Sequence, residues 1–350
     1  MSAQMALPDP ADVMEPAEEA TRTPTIWNSL LSDTAVWILA IDVILVIIFG
    51  FWSPQHTFWS VASLQVIALD SATALILAVG ISLLLGAGEI DLSVGAALLL
   101  SSVYGGKVIL DLSPDGVLVA ALVGLVACSA VGAGIGLVNG LIVTQLRVNS
   151  LIATLATLGI CTGIANLATN GADLSGLPFQ LQDNFGIKSV LNIPLPAFVA
   201  LGVWAVSWFI FRTTRYGLRM LALGSSRSAA ERSGVRVNVQ LVVAFMLVGS
   251  LAGLAGFIDL TRFATTNLAG HQTDALAAIT AAVIGGTSLF GGRVSIGGVL
   301  TGTLLAVILQ DGLVVVGLSP FYQLIAVGVV LIAAVYLDTR RTTGTLRFRR

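Results

Sequence analysis

Apolar residues fill most of the chain in long stretches that short polar segments interrupt, from about residue 36 to residue 337. Each stretch approaches or exceeds the roughly 20 residues that a regular helix needs to cross a bilayer. We therefore predict an all-α polytopic membrane protein with about ten transmembrane helices. The approximate bounds of the ten stretches are 36–52, 59–85, 92–110, 116–144, 150–169, 195–212, 240–260, 274–290, 294–310 and 320–337.

Two glycine-rich segments interrupt this pattern. The first is "GAGEIDLSVG" at 86–95, and the second is "GGTSLFGGRVSIGG" at 285–298. Five spans followed by five more would give two halves of opposite orientation, which is typical of an inverted repeat with broken helices beside a transport path. We therefore expect two inverted five-helix halves. The candidate residues of the helix breaks or of the path are Glu89, Asp91, Ser93, Gly285, Gly286 and Ser288.

The two carboxylates of the first segment, Glu89 and Asp91, have two interpretations. A charged side chain at the bilayer centre costs at least roughly 2.5 to 3.5 kcal/mol. In one interpretation the segment is a cytoplasmic turn in which Asp91 and Ser93 cap the next helix. In the other it is a broken helix whose polar groups face a water-filled cavity or a partner subunit. A cap at a broken helix satisfies both interpretations, so the pattern leaves them open.

Composition agrees with a membrane protein, because 56% of the residues are hydrophobic, only 10% are charged and the mean hydropathy is +0.95. The charges add an orientation. Eleven of the 17 basic residues lie in 212–236 and 340–350, and such clusters mark the cytoplasmic side. An even number of spans then places both termini in the cytoplasm. No aromatic-rich basic surface accompanies the arginines, so the sequence argues against nucleic-acid binding.

This reading divides the chain into three parts. Residues 1–35 are polar and acidic; we expect a disordered cytoplasmic tail, and the segment lacks the pattern of a cleavable signal peptide. Residues 36–338 form the transmembrane domain, in which 213–239 is a cytoplasmic loop. Residues 339–350 form a basic cytoplasmic tail.

The sequence lacks the motifs of common catalytic sites. There is no GxxxxGK[ST] phosphate loop, and neither HExxH nor a comparable catalytic motif occurs. Cys128 and Cys161 lie in apolar segments without metal-ligand spacing, so we predict two free, packed thiols. We therefore expect no catalytic residue, no bound metal and no cofactor.

Other polar residues inside or beside the predicted spans are harder to interpret. Asp42 and Asp70 are single acids within spans, and each could face a cavity, pair with another helix or be protonated. Arg262, His271 and Asp274 surround the outer end of the seventh and eighth spans. We assign these three residues no chemistry from the sequence.

Glycine is frequent, with 37 residues, and it recurs in the small-residue patterns "GAGIG" at 132–136 and "GSLAGLAG" at 249–256. Small residues at spacings of three and four allow membrane helices to approach closely. We therefore interpret these two faces as helix–helix contacts and not as ligand sites.

The basic loop contains "SRSAAERSG" at 226–234, in which Ser226 can cap a short helix and Gly234 can end it. A short amphipathic helix of this kind can dock into a groove of another protein. Here the chain resembles the permease subunits of ribose-type ATP-binding-cassette sugar importers over about residues 60–338. The motifs that carry the resemblance are "GEIDLSVG" at 88–95, "VNGLIVTQLRVNSLIATLATLGI" at 138–160, "RYGLRMLALGSSRSAAERSGV" at 215–235 and "GGTSLFGGRVSIGGVLTGTLL" at 285–305.

The resemblance implies an inner-membrane permease that forms the path for a sugar or a similar small polar solute. It implies three protein partners: a cytoplasmic ATPase subunit, a periplasmic sugar-binding protein and a second permease protomer, identical or similar. ATP hydrolysis would belong to the partner. The residues of the implied coupling loop to the ATPase are Gly224, Ser225, Ala229, Ala230, Glu231 and Gly234.

Some features depart from this family or favour other classes. The family's loop usually has Asn-Pro or a similar pair where this chain has Ser226-Arg227, which puts exchange of ATPase partners in doubt.

The main alternative is a proton-coupled secondary carrier, in which Asp42, Asp70 or Glu89 takes the proton. It leaves the arginine-rich loop unexplained. A third class, a membrane scaffold without transport, explains neither glycine-rich break. Our hypothesis is that Glu89, Asp91 and Ser93 hold a helix break at the inward end of the path, or brace that end against the ATPase contact.

Overall fold

A computed structural model describes residues 34–319 together with positions 321, 322, 325, 328, 329, 332 and 336. Almost all of the described chain is helical. We number the main helices α1 Thr34–Trp52, α2 Val61–Gly86, α3 Val94–Leu112, α4 Val117–Gln145, α5 Ser150–Thr169, α6 Leu195–Thr213, α7 Arg215–Ser225, α8 Arg227–Arg232, α9 Val237–Phe263, α10 Asp274–Ile284 and α11 Ile296–Val315.

Shorter elements join these helices. Single 3-10 turns cover Pro54–Trp59 and Ser113–Asp115, and a helical turn at Phe179–Leu181 leads into a π-helical turn at Gln182–Gly186. The only sheet among the described residues is a two-stranded antiparallel hairpin, in which β1 Ser189–Val190 pairs with β2 Ile193–Pro194.

Eight of the described helices are long and apolar enough to cross a membrane: α1 to α6, α9 and α11. The all-α polytopic class predicted from the sequence is thereby confirmed. The predicted span 274–290 is instead the 11-residue helix α10, followed by a non-helical segment. The predicted span 320–337 and the predicted tails 1–35 and 339–350 lie largely or wholly outside the described residues.

The connections fall at two opposite ends of the helices. The basic end carries Arg147 and the loop 213–239, where α4 and α6 end and α9 begins. The outer end carries the connections 113–116, 170–194 and 264–273. The contacts between α4 and α9 support this assignment. Cys128 of α4 lies beside Gly253 of α9, and Gly136 lies beside Phe245, so the two helices run antiparallel. Arg147 and the predicted cytoplasmic loop 213–239 therefore lie at one end of the described structure.

The crossing of α4 and α9 is a close helix contact built from glycine. A Cβ added to Gly132 would collide with the carbonyl oxygen of Gly249, and one added to Gly136 would collide with that of Phe245. Backbones this close leave room only for hydrogen as a side chain. The two small-residue patterns are thus a helix–helix interface, as the sequence predicted.

Helix α2 forms the centre of the largest apolar core. It packs against α6, α9, α10 and α11, and its second half, from Leu75 to Gly86, is buried on all sides. A helix that is apolar all round is normally enclosed by other helices. Both cysteines are free and buried. The core therefore holds α2 in a fixed position, and α2 carries the first glycine-rich segment at its end.

Candidate functional site

The first glycine-rich segment is a true break between two helices. Helix α2 ends at Gly86, Gly88 has a φ of +78°, and α3 begins at Val94. Amide groups that leave a helix need new partners inside a membrane protein. Two hydroxyls of α5 supply them, because Ile90 N donates to Ser150 Oγ at 3.3 Å and Leu92 N donates to Thr154 Oγ1 at 3.1 Å.

Asp91 is the anchor of this break. Its side chain is buried, with 2% exposure for the residue, and its Oδ1 accepts from Ser93 N at 2.7 Å and from Ser93 Oγ at 2.6 Å. Asn139 Nδ2 of α4 donates to Ser93 Oγ at 2.8 Å. Thr157 Oγ1 of α5 in turn donates to Asn139 Oδ1 at 2.6 Å. Asp91 and Ser93 therefore tie the start of α3 to two other helices, and Asp91 does not face the cavity described below.

The second glycine-rich segment meets the first. Gly292 N donates to Gly86 O at 3.0 Å, and Gly285 lies so close to Gly298 that a Cβ would collide with its carbonyl oxygen. Gly286 has a φ of +95°, a conformation that glycine adopts without strain. Ser288 is buried, and its N donates to Arg293 O at 3.0 Å.

The basic loop joins the same cluster. Gly224 lies near the end of α7. A Cβ added to Gly224 would collide with the carbonyl oxygen of Gly86, and this Cβ would also lie 2.5 Å from Gly292 N. The two breaks and the predicted coupling loop therefore converge at the basic end. The two breaks are therefore neighbours in space. The inverted halves stay a prediction.

Helix α8 has the caps that the sequence predicts. Ser226 Oγ accepts from Ala229 N at 3.3 Å, and Gly234 follows the helix with a φ of +83°. Ala230 is buried against the protein's own core, whereas Ala229 and Glu231 are exposed. Ser225 is exposed as well, and its Oγ donates to Leu221 O at 2.9 Å. The outward face of α8 is therefore free for a partner, and Ala230 seats the helix.

An ion pair connects α8 with the first break. Arg227 Nη1 lies 3.7 Å from Glu89 Oε1, and Arg227 Nε lies 3.9 Å from Glu231 Oε1. The Arg227 side chain is 47% exposed and that of Glu89 is 15% exposed. Glu89 thus faces the basic loop, while Asp91, two residues later, faces the helix bundle.

These groups border a polar cavity at the basic end, with a volume of about 790 Å³. Two of its sides come from the break and from α8, and the rest comes from the connection between α4 and α5. Its lining residues are Glu89, Val143, Thr144, Gln145, Arg147, Val148, Asn149, Ser150, Arg227, Glu231 and Asn238. Polar groups of this density beside an irregular backbone fit a water-filled opening.

A second polar cluster lies toward the outer end. Its residues have no role that the sequence alone predicts. Arg262 Nη1 of α9 donates to Asp70 Oδ1 of α2 at 2.5 Å. His271 Nδ1 lies 2.8 Å from Asp274 Oδ2, and His271 Nε2 lies 3.3 Å from Asp259 Oδ2. In the sequence, this cluster is indicated only by the charged residues that surround one apolar span.

A separate acid, Asp42 of α1, is buried, and neither of its carboxylate oxygens has a hydrogen-bond partner among the described residues.

His271 lies in the connection between α9 and α10, outside the spanning helices. Burial opposes its protonation, but the carboxylates of Asp259 and Asp274 outweigh burial and raise the pKa of the imidazole to about 10. The cluster thus places Arg262 and His271 against the carboxyl groups of Asp70, Asp259 and Asp274, and Asp311 of α11 lies beside Asp70.

The model of one protein family matches residues 63–335, and its description is a branched-chain amino acid transport system / permease component. The chain belongs to this permease family. The match begins in α2 and includes both breaks and the loop 213–239. The motifs that converge at the basic end are thus all within the region that identifies the permease.

Individual relatives cover nearly the whole permease. The ribose import permease protein RbsC of Escherichia coli K12 is 35% identical over 305 residues, which is 85% of this chain and 92% of the relative. The D-allose transport system permease protein AlsC of the same strain is 35% identical over 84% of this chain and 88% of its own length. The galactose/methyl galactoside import permease protein MglC is 31% identical over 88% of this chain and 94% of its own length.

No solved structure matches the permease in a structural search. The geometry of the basic end and of the outer cluster therefore comes from this chain alone.

Proposed function

We propose that this chain is the path-forming permease subunit of an ATP-driven, binding-protein-dependent importer of a sugar or a similar small polar solute. It lies in a bacterial inner membrane with both termini in the cytoplasm. Its relatives are import permeases for ribose, allose and galactose by their names. In this proposal the chain takes up a solute without an ATPase site of its own, and the partner subunit hydrolyses ATP.

The convergence at the basic end is the observation that carries this proposal. An ATPase in the cytoplasm can move membrane helices only through a contact at their cytoplasmic end. The exposed face of α8 offers that contact, and α8 is bound to the first break through Arg227 and Glu89. Gly224 connects the same loop to both breaks. A shift of α8 is therefore transmitted to the start of α3 and to the segment before α11.

A proton-coupled carrier fits the acids less well. Asp70 is paired with Arg262, and Glu89 is paired with Arg227. This leaves Asp42, which is buried without a hydrogen-bond partner among the described residues, as the one acid of this alternative that is not in an ion pair. The carrier also needs no docking helix in the cytoplasm. The ATP-driven importer uses the loop and leaves these pairs intact.

The partner complex gives the direct test. We expect the tagged full chain, purified from its native membrane in mild detergent, to bring down an ATPase subunit in equal amount by mass spectrometry. Ala229→Glu places a charge on the exposed face of α8 and should abolish this association. Ala230→Glu is a poorer test, because Ala230 is buried and the variant would unseat α8 itself.

A matched control is Ala172→Glu, an equally exposed alanine in the outer connection 170–194, which should keep the ATPase bound. Recovery of wild-type chain with no ATPase would contradict the proposal. In that case, uptake that stops with an uncoupler and continues after ATP depletion would favour the proton-coupled carrier.

A further inference from the structure

The charged cluster at the outer end encloses a cavity of about 180 Å³, here named the outer cavity. A single water needs only roughly 10–15 Å³ of such space, so the outer cavity can hold a small polar molecule. It lies between α2, α9, α10 and α11. Its lining residues are Asp70, Thr73, Ala74, Leu77, Asp259, Arg262, His271, Asp274, Ala277, Ala278, Val307 and Gln310.

The chemistry of the lining is that of a hydroxyl-binding site. Arg262 and His271 offer N–H donors, and Asp70, Asp259 and Asp274 offer acceptor oxygens. The ion pairs among these groups leave some donor and acceptor sites unused, since three carboxyl groups share two basic side chains. Charged groups among spanning helices are costly, and they typically mark a substrate pathway or a water-filled cavity.

One residue that lines the same space carries an unpartnered hydroxyl. Thr73 Oγ1 is buried and has no hydrogen-bond partner among the described residues, although Thr73 lines the outer cavity. A buried hydroxyl without a partner is uncommon and needs an explanation, such as a ligand or an ordered water. The neighbouring Ala74, Ala277 and Ala278 leave the approach to Thr73 open because their side chains are small.

The outer cavity adjoins the first break. The connection 264–273 folds back against α3, and a Cβ on Gly95 in the first turn of α3 would collide with the carbonyl oxygen of His271. Asp70 lies sixteen residues before Gly86 on α2, or about 24 Å along the helix at 1.5 Å per residue. The outer cavity therefore touches the first turn of α3 through His271.

We propose that the outer cavity binds the ring hydroxyls of one monosaccharide, so that the permease itself contributes to the choice of sugar. This rests on the proposed function and deepens it. Carboxylates and cations that are already paired suit neutral hydroxyls, which donate to one partner and accept from the other. Among the described residues, no group of three or more His, Cys, Asp or Glu side chains is arranged to hold a metal ion.

The first test is the sugar preference of uptake. Thr73→Val keeps the side-chain shape and removes the hydroxyl. We expect uptake rates for D-ribose, D-allose and D-galactose to change relative to each other by about two- to tenfold, the value of one hydrogen bond. The control is Ser71→Ala on the same helix, since Ser71 Oγ is also buried without a partner but does not line the outer cavity. A purely structural effect would lower all three rates by the same factor.

The second test does not depend on transport. Purified full-length chain carrying Thr73→Cys, in lipid nanodiscs, is labelled with a small thiol reagent in the presence and absence of each of the three sugars. We expect at least one of the sugars to slow the labelling, while Ser71→Cys shows no such protection.

The outcomes separate the two proposals. ATP-dependent uptake by wild type, with unchanged relative rates in Thr73→Val and no protection of Thr73→Cys, would overturn the outer site and leave the importer standing. Absence of ATP-dependent uptake of all three sugars, together with recovery of wild-type chain without an ATPase, would count against the importer. Protection of Thr73→Cys would then still support the site, and lack of protection would refute it.

Discussion

Two acids two residues apart have different roles in this chain. Asp91 is enclosed by Ser93, Asn139 and α5, whereas Glu89 faces the cavity at the basic end. Removing the acceptor of a buried donor costs about 1–3 kcal/mol for each orphaned group. Asp91→Leu orphans the N–H and the hydroxyl of Ser93, so we expect a clearly lower thermal unfolding temperature of the purified chain in detergent. Asp91→Asn retains an oxygen and should lose less than half as much.

Glu89→Gln is the matched contrast. The pair that Glu89 forms with Arg227 is partly exposed, and such pairs contribute only about 0–1 kcal/mol to stability. The unfolding temperature should therefore stay close to that of wild type, while uptake falls because α8 loses its link to the break. Equal destabilisation by Glu89→Gln and Asp91→Leu would contradict this division of roles.

At these positions the sequence predicts the helix break, but it does not predict the different roles of Glu89 and Asp91. The motif "GEIDLSVG" identifies a polar interruption, and both interpretations of it were open. The partners decide between them, and they come from Asn139 and Thr157, 46 and 64 residues away from Ser93 in the chain. No local pattern announces a hydrogen bond between helices that are so far apart in sequence.

At the scale of elements, the contact between α4 and α9 decides which glycines are essential. Gly132→Ala would press a methyl group into the carbonyl of Gly249, and we expect separation of the helices and loss of stability. Gly134→Ala, on the same helix, meets nothing within 4 Å. A glycine to alanine change in a helix interior otherwise stabilises by roughly 0.5–1 kcal/mol. The two variants should therefore shift the unfolding temperature in opposite directions, and parallel shifts would refute the contact.

The small-residue pattern was sufficient to predict this interface, because close helix packing requires small residues at regular spacing. Apolar length was not sufficient for α10. The stretch 274–290 is as apolar as a span, but Gly285 and Gly286 end the helix at Ile284, and the connection before it folds back against Gly95. Hydropathy reports how apolar a segment is, and not where its backbone turns.

At the scale of the whole molecule, the positive-inside rule and the structure agree on which loops share an end. Arg147 and α8 border one cavity, while the connections 170–194 and 264–273 lie at the opposite end. The sequence predicts this because arginines set topology through their cost of translocation. The outer cavity could not be predicted in the same way, since its residues come from four helices whose neighbours only the packed structure defines.

The orientation itself leads to the last prediction. Ser228→Cys on α8 and Ala172→Cys in the outer connection are both exposed positions, and the native Cys128 and Cys161 are buried. With a membrane-impermeant maleimide, we expect intact spheroplasts to label Ala172→Cys and to leave Ser228→Cys unlabelled until the membrane is permeabilised. Wild type gives the background of the native thiols. In the proposed importer a binding protein delivers solute from outside and an ATPase acts from inside. The opposite labelling pattern would place α8 beyond the reach of any cytoplasmic ATPase and would refute the proposed coupling.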